Sequence, residues 1–218
     1  MLKALRPFLT RLLDPVVGAL ARTPVTPNAL TITGNLGMSA GALALYPTGH
    51  LFAGTMVCWF FVTADMLDGA LARVKGTTGS FGAFLDSTLD RVGDASVFAG
   101  LAVWFVLGGH SRLLAAVALF CLVAGMLVSY TKARAEGLGF RCDVGLAERT
   151  ERLLIGLVAA GLAGLGVPYV LPAGLWGLAA LSAFTFGQRV LAVRREAAAA
   201  VAAGPAGADA RGGGECPG

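Results

Sequence analysis

The stretch Asp65-Met66-Leu67-Asp68-Gly69-Ala70-Leu71-Ala72-Arg73, followed after eight residues by Gly82-Ala83-Phe84-Leu85-Asp86-Ser87-Thr88-Leu89-Asp90, places four carboxylates in a chain that otherwise reads as membrane helix. An aspartate at the centre of a bilayer costs about 3 kcal/mol even on insertion scales, so such residues mark a site of function. Asp65 and Asp68 are three apart and Asp86 and Asp90 are four apart. Each pair therefore occupies one helical face, about one turn long. Two such faces brought together make a four-carboxylate cup. Hard divalent cations need several oxygen ligands, and two cations held a few ångströms apart clamp a phosphorus centre during displacement. The spacing predicts a two-cation site for phosphoryl chemistry.

Elements able to position such a cup must sit in a membrane. The 218 residues are 56% hydrophobic and only 14% charged, with a mean hydropathy of +0.73, well outside the ordinary soluble range. Thirty-one glycines suit helices whose backbones approach closely in lipid. Apolar runs long enough to cross a bilayer fall at 29–46, 51–72, 84–107, 113–130, 153–167 and 169–186. The fold class expected is an all-α integral membrane protein with six transmembrane helices. Leu2, Leu5, Leu9, Leu12, Leu13, Val16, Val17 and Leu20 recur at helical spacing among Lys3, Arg6 and Arg11, which predicts an N-terminal amphipathic interfacial helix over 1–22 rather than a cleaved signal peptide. The membrane domain is then 23–195. Residues 196–218, rich in alanine and glycine with Pro205 and Pro217, read as a disordered tail.

Charge sets the orientation. Arg22 precedes the first span, Arg73 and Lys75 follow the second, Lys132, Arg134, Arg141, Arg149 and Arg152 surround the link between the fourth and fifth, and Arg189, Arg194 and Arg195 follow the sixth. The opposite links hold only Arg112. By the positive-inside rule both termini are cytoplasmic, and the acidic motif lies at the cytoplasmic face of the cell membrane. Cys58, Cys121, Cys142 and Cys216 show no Cys-x-x-Cys pairing, so neither a zinc site nor a disulfide framework is indicated.

The pattern D-x2-D-G-x2-A-R-x8-G-x3-D-x3-D resembles the signature of the CDP-alcohol phosphotransferase family, membrane enzymes of phospholipid synthesis, with every fixed position filled. The resemblance implies that Asp65, Asp68, Asp86 and Asp90 hold two divalent cations, Mg2+ first and Mn2+ second, and that Asp90 is also the catalytic general base. It implies that CDP-diacylglycerol binds along the same motif. Gly69 and Ala72 allow close approach of the nucleotide, and Arg73 offers a guanidinium fork to the diphosphate. The loop around Gly79 and Ser80 offers N–H groups and a hydroxyl to phosphate or cytidine. Thr26-Pro27-Asn28-Ala29-Leu30-Thr31 reads by itself as a helix cap. It is also similar to the family's T-P-N-x-x-T element, which places Asn28 and Thr31 near the cytidine. Homodimerisation is a further implication, and no nucleic-acid partner is expected.

The acceptor must be read from the remaining charges. Ser129, Lys132 and Arg134 close the fourth span, Glu148, Arg149 and Arg152 open the fifth, and Arg189 follows the sixth. Converging beside the carboxylates, such a basic cluster suits a phosphorylated alcohol, whose dianion needs several donors. The S-Y-x-K-A-R-A-E and E-R-x-E-R elements are similar to those of the family's actinobacterial phosphatidylinositol phosphate synthases, which use inositol 1-phosphate (1D-myo-inositol 3-phosphate). That likeness implies that Ser129, Lys132, Arg152 and Arg189 grip the acceptor phosphate, helped by Arg134 and Arg149. Glycerol 3-phosphate, the acceptor of phosphatidylglycerophosphate synthases, is the nearest alternative. Asp94, one turn beyond Asp90, is read as a structural partner rather than a fifth ligand. A cation-binding transporter is the rival of a different class, but its polar residues would spread through the membrane depth instead of gathering at one end.

Overall fold

Proline at a first helical position sacrifices no hydrogen bond, and a preceding threonine satisfies one of the free N–H groups. Thr26 and Pro27 do this: Thr26 Oγ1 accepts from the Ala29 N–H at 3.2 Å. The computed structural model describes residues 15–145 and 149–202, whose regular structure is helical throughout. After α1 (15–21) come α2 (Pro27–Leu45), α3 (Leu51–Lys75), α4 (Ser80–Leu107), α5 (Arg112–Gly137), α6 (Arg149–Gly164) and α7 (Val170–Ala202). The interfacial helix expected over 1–22 lies mostly outside the described residues, as do residues 203–218 of the expected tail.

α2 to α7 coincide with the six apolar runs, but several ends differ. α5 continues to Gly137 rather than stopping at 130, α6 begins at Arg149 rather than 153, and α7 runs to Ala202 rather than 186. Hydropathy measures apolar length, whereas Lys, Arg, Glu and Ala all have high helix propensity and prolong a helix into water. Arg189, Arg194 and Arg195 are therefore helical, and α7 extends past the 195 boundary. α3, α5 and α7 are each long and apolar enough to cross a membrane. Large apolar side chains also cover the outer surface, among them Phe60, Leu36 and Leu113 at 68%, 61% and 64% exposure. An apolar exterior of this extent is what a lipid-facing surface needs.

The helices close into a ring. α2 packs on α3 and α4, α4 on α5, α5 on α7, α7 on α6, and α6 back on α3. Its interior is filled by Phe98, Leu101, Leu157, Leu175 and Leu178. Close packing in lipid depends on small residues, and at the α2–α4 crossing a Cβ on Gly100 would sit 2.7 Å from the Ala42 carbonyl oxygen. α3 ends on Gly76, whose φ of +64° is the left-handed conformation that glycine adopts without penalty. After three intervening residues α4 begins, so both acidic faces emerge at one end of the ring. Lys75 Nζ donates to the carbonyls of Thr23 and Val25 at 2.8 and 2.7 Å, fastening that end to the approach to α2.

Candidate active site

Asp65 and Asp68 stand on the last three turns of α3, and Asp86 and Asp90 on the first three of α4. One carboxylate oxygen from each of Asp65, Asp68 and Asp86 lies within 4.8 Å of the other two. Three anionic oxygens this close repel one another unless a cation joins them, and an all-oxygen set suits a hard divalent ion. Asp65 and Asp86 form no ion pair among the described residues.

The triad is held from α2. The Thr31 hydroxyl donates to Asp68 Oδ2, and the Gly69 N–H donates to Oδ1 of the same carboxylate. Four residues along α2, the Asn35 amide donates to the Leu89 carbonyl oxygen, between Asp86 and Asp90 on α4. One face of α2 thus clasps both acid-bearing helices. Thr31 was expected at the cytidine; its structural contact is with Asp68. Asn35 escaped the sequence reading. Its spacing of four from Thr31 was the available signal, but its partner is a backbone carbonyl that no side-chain pattern reveals.

Asp90 is set apart from the triad. Arg149 Nη1 lies 2.8 Å from Asp90 Oδ1, with Arg91 Nη1 at 3.8 Å from Oδ2. Arg91 also donates to the Ser87 carbonyl at 2.6 Å. Asp94 is paired as expected, with Arg149 Nε at 3.2 Å and Arg152 Nη2 at 3.6 Å.

The residues expected to hold the CDP-lipid surround the same end. Asn28 Oδ1 lies 3.5 Å from where a Cβ on Gly82 would be, and Arg73 Nη1 lies 3.8 Å from the corresponding point on Gly69. The exposed Arg73 guanidinium therefore lies close to the motif glycine, and Asn28 faces the first turn of α4. Ala72 is half-buried, while Gly79 and Ser80 are exposed. Gly79 is the N-cap of α4, and no side chain caps it.

The basic residues divide into two groups. Arg149 and Arg152 join the carboxylates, Arg152 being 3% exposed. Lys132 turns instead to Asp143 at 3.1 Å and Glu136 at 3.7 Å. Arg189, 5% exposed, donates from Nε to the Val144 carbonyl at 2.9 Å and from Nη1 to that of Val128. Glu196 accepts from the Arg141 N–H at 2.8 Å. Lys132, Arg189 and Glu196 thus fasten the segment joining α5 to α6. Ser129 is half-buried and Arg134 exposed; Arg134 forms no ion pair among the described residues. Glu148 lies outside them.

Residues 24–186 match the CDP-alcohol phosphatidyltransferase family. A phosphatidylinositol phosphate synthase from Streptomyces avermitilis is 50% identical over 208 residues, spanning 92% of this chain and 85% of the relative. The synthase of the same name from Mycobacterium marinum is 46% identical, over 86% of this chain and 83% of its own. Two crystal structures of the Mycobacterium tuberculosis phosphatidylinositol phosphate synthase are similar throughout. The one with CDP-DAG bound has a TM-score of 0.81 at 46% identity, covering 84% of this chain and 94% of that one. The complex with manganese and citrate has a TM-score of 0.80 at 46% identity, covering 82% and 87%.

Proposed function

The chain belongs to the CDP-alcohol phosphatidyltransferase family, and from that premise we propose that it transfers the phosphatidyl group of CDP-diacylglycerol to a hydroxyl of inositol 1-phosphate, forming phosphatidylinositol phosphate and releasing CMP. The observation that carries this reading is the 50% identity over 92% of the chain to a phosphatidylinositol phosphate synthase. The carboxylate triad supplies the matching chemistry. Family membership also removes the transporter reading.

Asp65, Asp68, Asp86 and Asp90 are the residues assigned to two divalent cations, Mg2+ by preference with Mn2+ as substitute. When bound, these ions neutralise the diphosphate and stabilise the departing CMP. Thr31 and Gly69 orient Asp68 for that task. Asn28, Thr31, Gly69, Ala72, Arg73, Gly79 and Ser80 are assigned to the CDP-lipid. No side chain caps the first turn of α4, and the N–H groups of an uncapped helix start suit phosphate oxygens. Asp90 accepts the proton of the attacking hydroxyl as its oxygen bonds to the β-phosphorus and the bond to CMP breaks. Ser129, Lys132, Arg134, Arg149, Arg152 and Arg189 are assigned to the acceptor's phosphate. Of these, Arg149 lies nearest the acids, and its contact with Asp90 supports an acceptor held beside the base.

We take all of α2 to α7 to cross the cell membrane, with both termini and the active site on the cytoplasmic side. The lysines and arginines gathered at the acidic end support that orientation. A surface-lying segment over 1–22, a membrane domain over 23–195, a tail over 196–218 and a homodimer complete the proposal.

The test is to supply the purified protein with CDP-diacylglycerol, Mg2+ and one acceptor at a time from inositol 1-phosphate, glycerol 3-phosphate, inositol and serine, and to identify the lipid product by mass. Phosphatidylinositol phosphate as the main product is expected. A glycerol 3-phosphate product instead would reassign the acceptor, and turnover of free inositol or serine alone would refute the phosphate pocket.

A further inference from the structure

α4 and α6 stand on opposite sides of the ring, each packed on other helices, yet two arginines of α6 reach α4 across its interior. Both meet one carboxylate. Asp94 Oδ1 lies 3.2 Å from Arg149 Nε, and Asp94 Oδ2 lies 3.6 Å from Arg152 Nη2. Arg149 continues to Asp90 Oδ1 at 2.8 Å, so its guanidinium bridges two acids a turn apart. We propose that Asp94 is a positioning residue for acceptor recognition, fixing Arg149 with one oxygen and Arg152 with the other so that the two cations meet the acceptor's phosphate as a set. The inference rests on the reading of the acceptor as a phosphorylated polyol.

Three observations favour positioning over contact with substrate. The Asp94 side chain is only 16% exposed, against 25% for Arg149. The cavity beside it, bordered by Arg91, Phe98, Cys121, Gly125 and Arg152, has a volume of about 10 Å3, roughly the room of one water molecule. No polyol reaches Asp94 through it. Finally, Arg91, Arg149 and Arg189 all repel the charge on Arg152, and Asp94 is a carboxylate in contact with that charge. An anion held by two guanidiniums at once orders cations that otherwise separate. Room for the arrangement comes from α5: a Cβ on Gly125 would lie 3.2 Å from Arg152 Nε.

The role predicts a divided kinetic response. In the full-length enzyme with Mg2+, Asp94→Asn keeps the shape but removes the charge. It should raise KM for inositol 1-phosphate about tenfold, the equivalent of one charge-assisted hydrogen bond. KM for CDP-diacylglycerol should remain within about twofold of wild type. Asp94→Glu, which restores the charge on a longer arm, should recover part of the loss. An unchanged acceptor KM in Asp94→Asn, or equal rises for both substrates, would overturn the role. If Asp94→Asn cannot be purified folded, Asp94→Ser replaces it: an acceptor KM equal to wild type refutes positioning, and a selective rise supports it. Wild-type enzyme run in parallel separates the two levels of the argument. Failure of wild type to use any phosphorylated acceptor removes the underlying reading and the inference with it, whereas normal wild-type turnover with an indifferent Asp94→Asn removes the inference alone.

Discussion

The acidic and basic halves of the site contrast in how their charges are satisfied. Asp65 and Asp86 form no ion pair among the described residues, and Asp68 takes its hydrogen bonds from a neutral hydroxyl and an amide. Arg149, Arg152 and Lys132 all meet carboxylates, and Arg189 meets two backbone carbonyls. A partly buried carboxylate that no cation of the protein contacts is costly and calls for a partner from outside. A charge already compensated can serve as scaffold as well as contact. The carboxylate triad therefore marks where an external cation belongs, whereas the arginines must be tested one by one for what they bind and what they hold.

The largest expected break falls on the acidic side. Asp86→Ala, or chelation of divalent ions by EDTA, should abolish CMP release, since losing several kcal/mol of charge stabilisation corresponds to a thousandfold or more, roughly. A chelated wild-type enzyme that still turns over would refute the cation assignment. Asp90→Asn should lower kcat about 10²- to 10⁴-fold, the range for loss of a general base; near-normal CMP release would exclude that role.

Smaller effects sharpen the contrast. Arg149→Ala should raise the acceptor KM by about 10- to 100-fold, given that a hydrogen bond to a charged group contributes about 1.5–3 kcal/mol. Arg149→Lys should not restore it, because an ammonium cannot bridge Asp90 and Asp94 as a planar fork does. Thr31→Val should weaken Mn2+ affinity, followed by titration, about tenfold through loss of the hydroxyl that orients Asp68. Unaltered Mn2+ affinity in Thr31→Val would show that α2 contributes packing alone.

Legibility in the sequence followed the range of the interactions. The acidic faces were readable because helical periodicity operates over three or four residues, and Asp65, Asp68 and Asp86 do converge. The Thr26 cap and the six apolar runs are equally local. The work of Arg189 was not readable, since its Val128 and Val144 partners lie 61 and 45 residues away and accept through backbone oxygens. The Asn35 tie to Leu89 spans 54 residues and fails for the same reason. Positive charge near the acidic end of the ring was visible, but topology and recognition both call for arginine there. Only three dimensions divide Arg149, set against two acids, from Arg134, which points outward.

The clasp formed by Thr31 and Asn35 has a consequence for biogenesis. A ribosome delivers α2 before either acid-bearing helix, so the hydroxyl that receives Asp68 and the amide that receives α4 are made before the segments they hold. The order of synthesis thus puts both donors of the clasp ahead of the groups they serve.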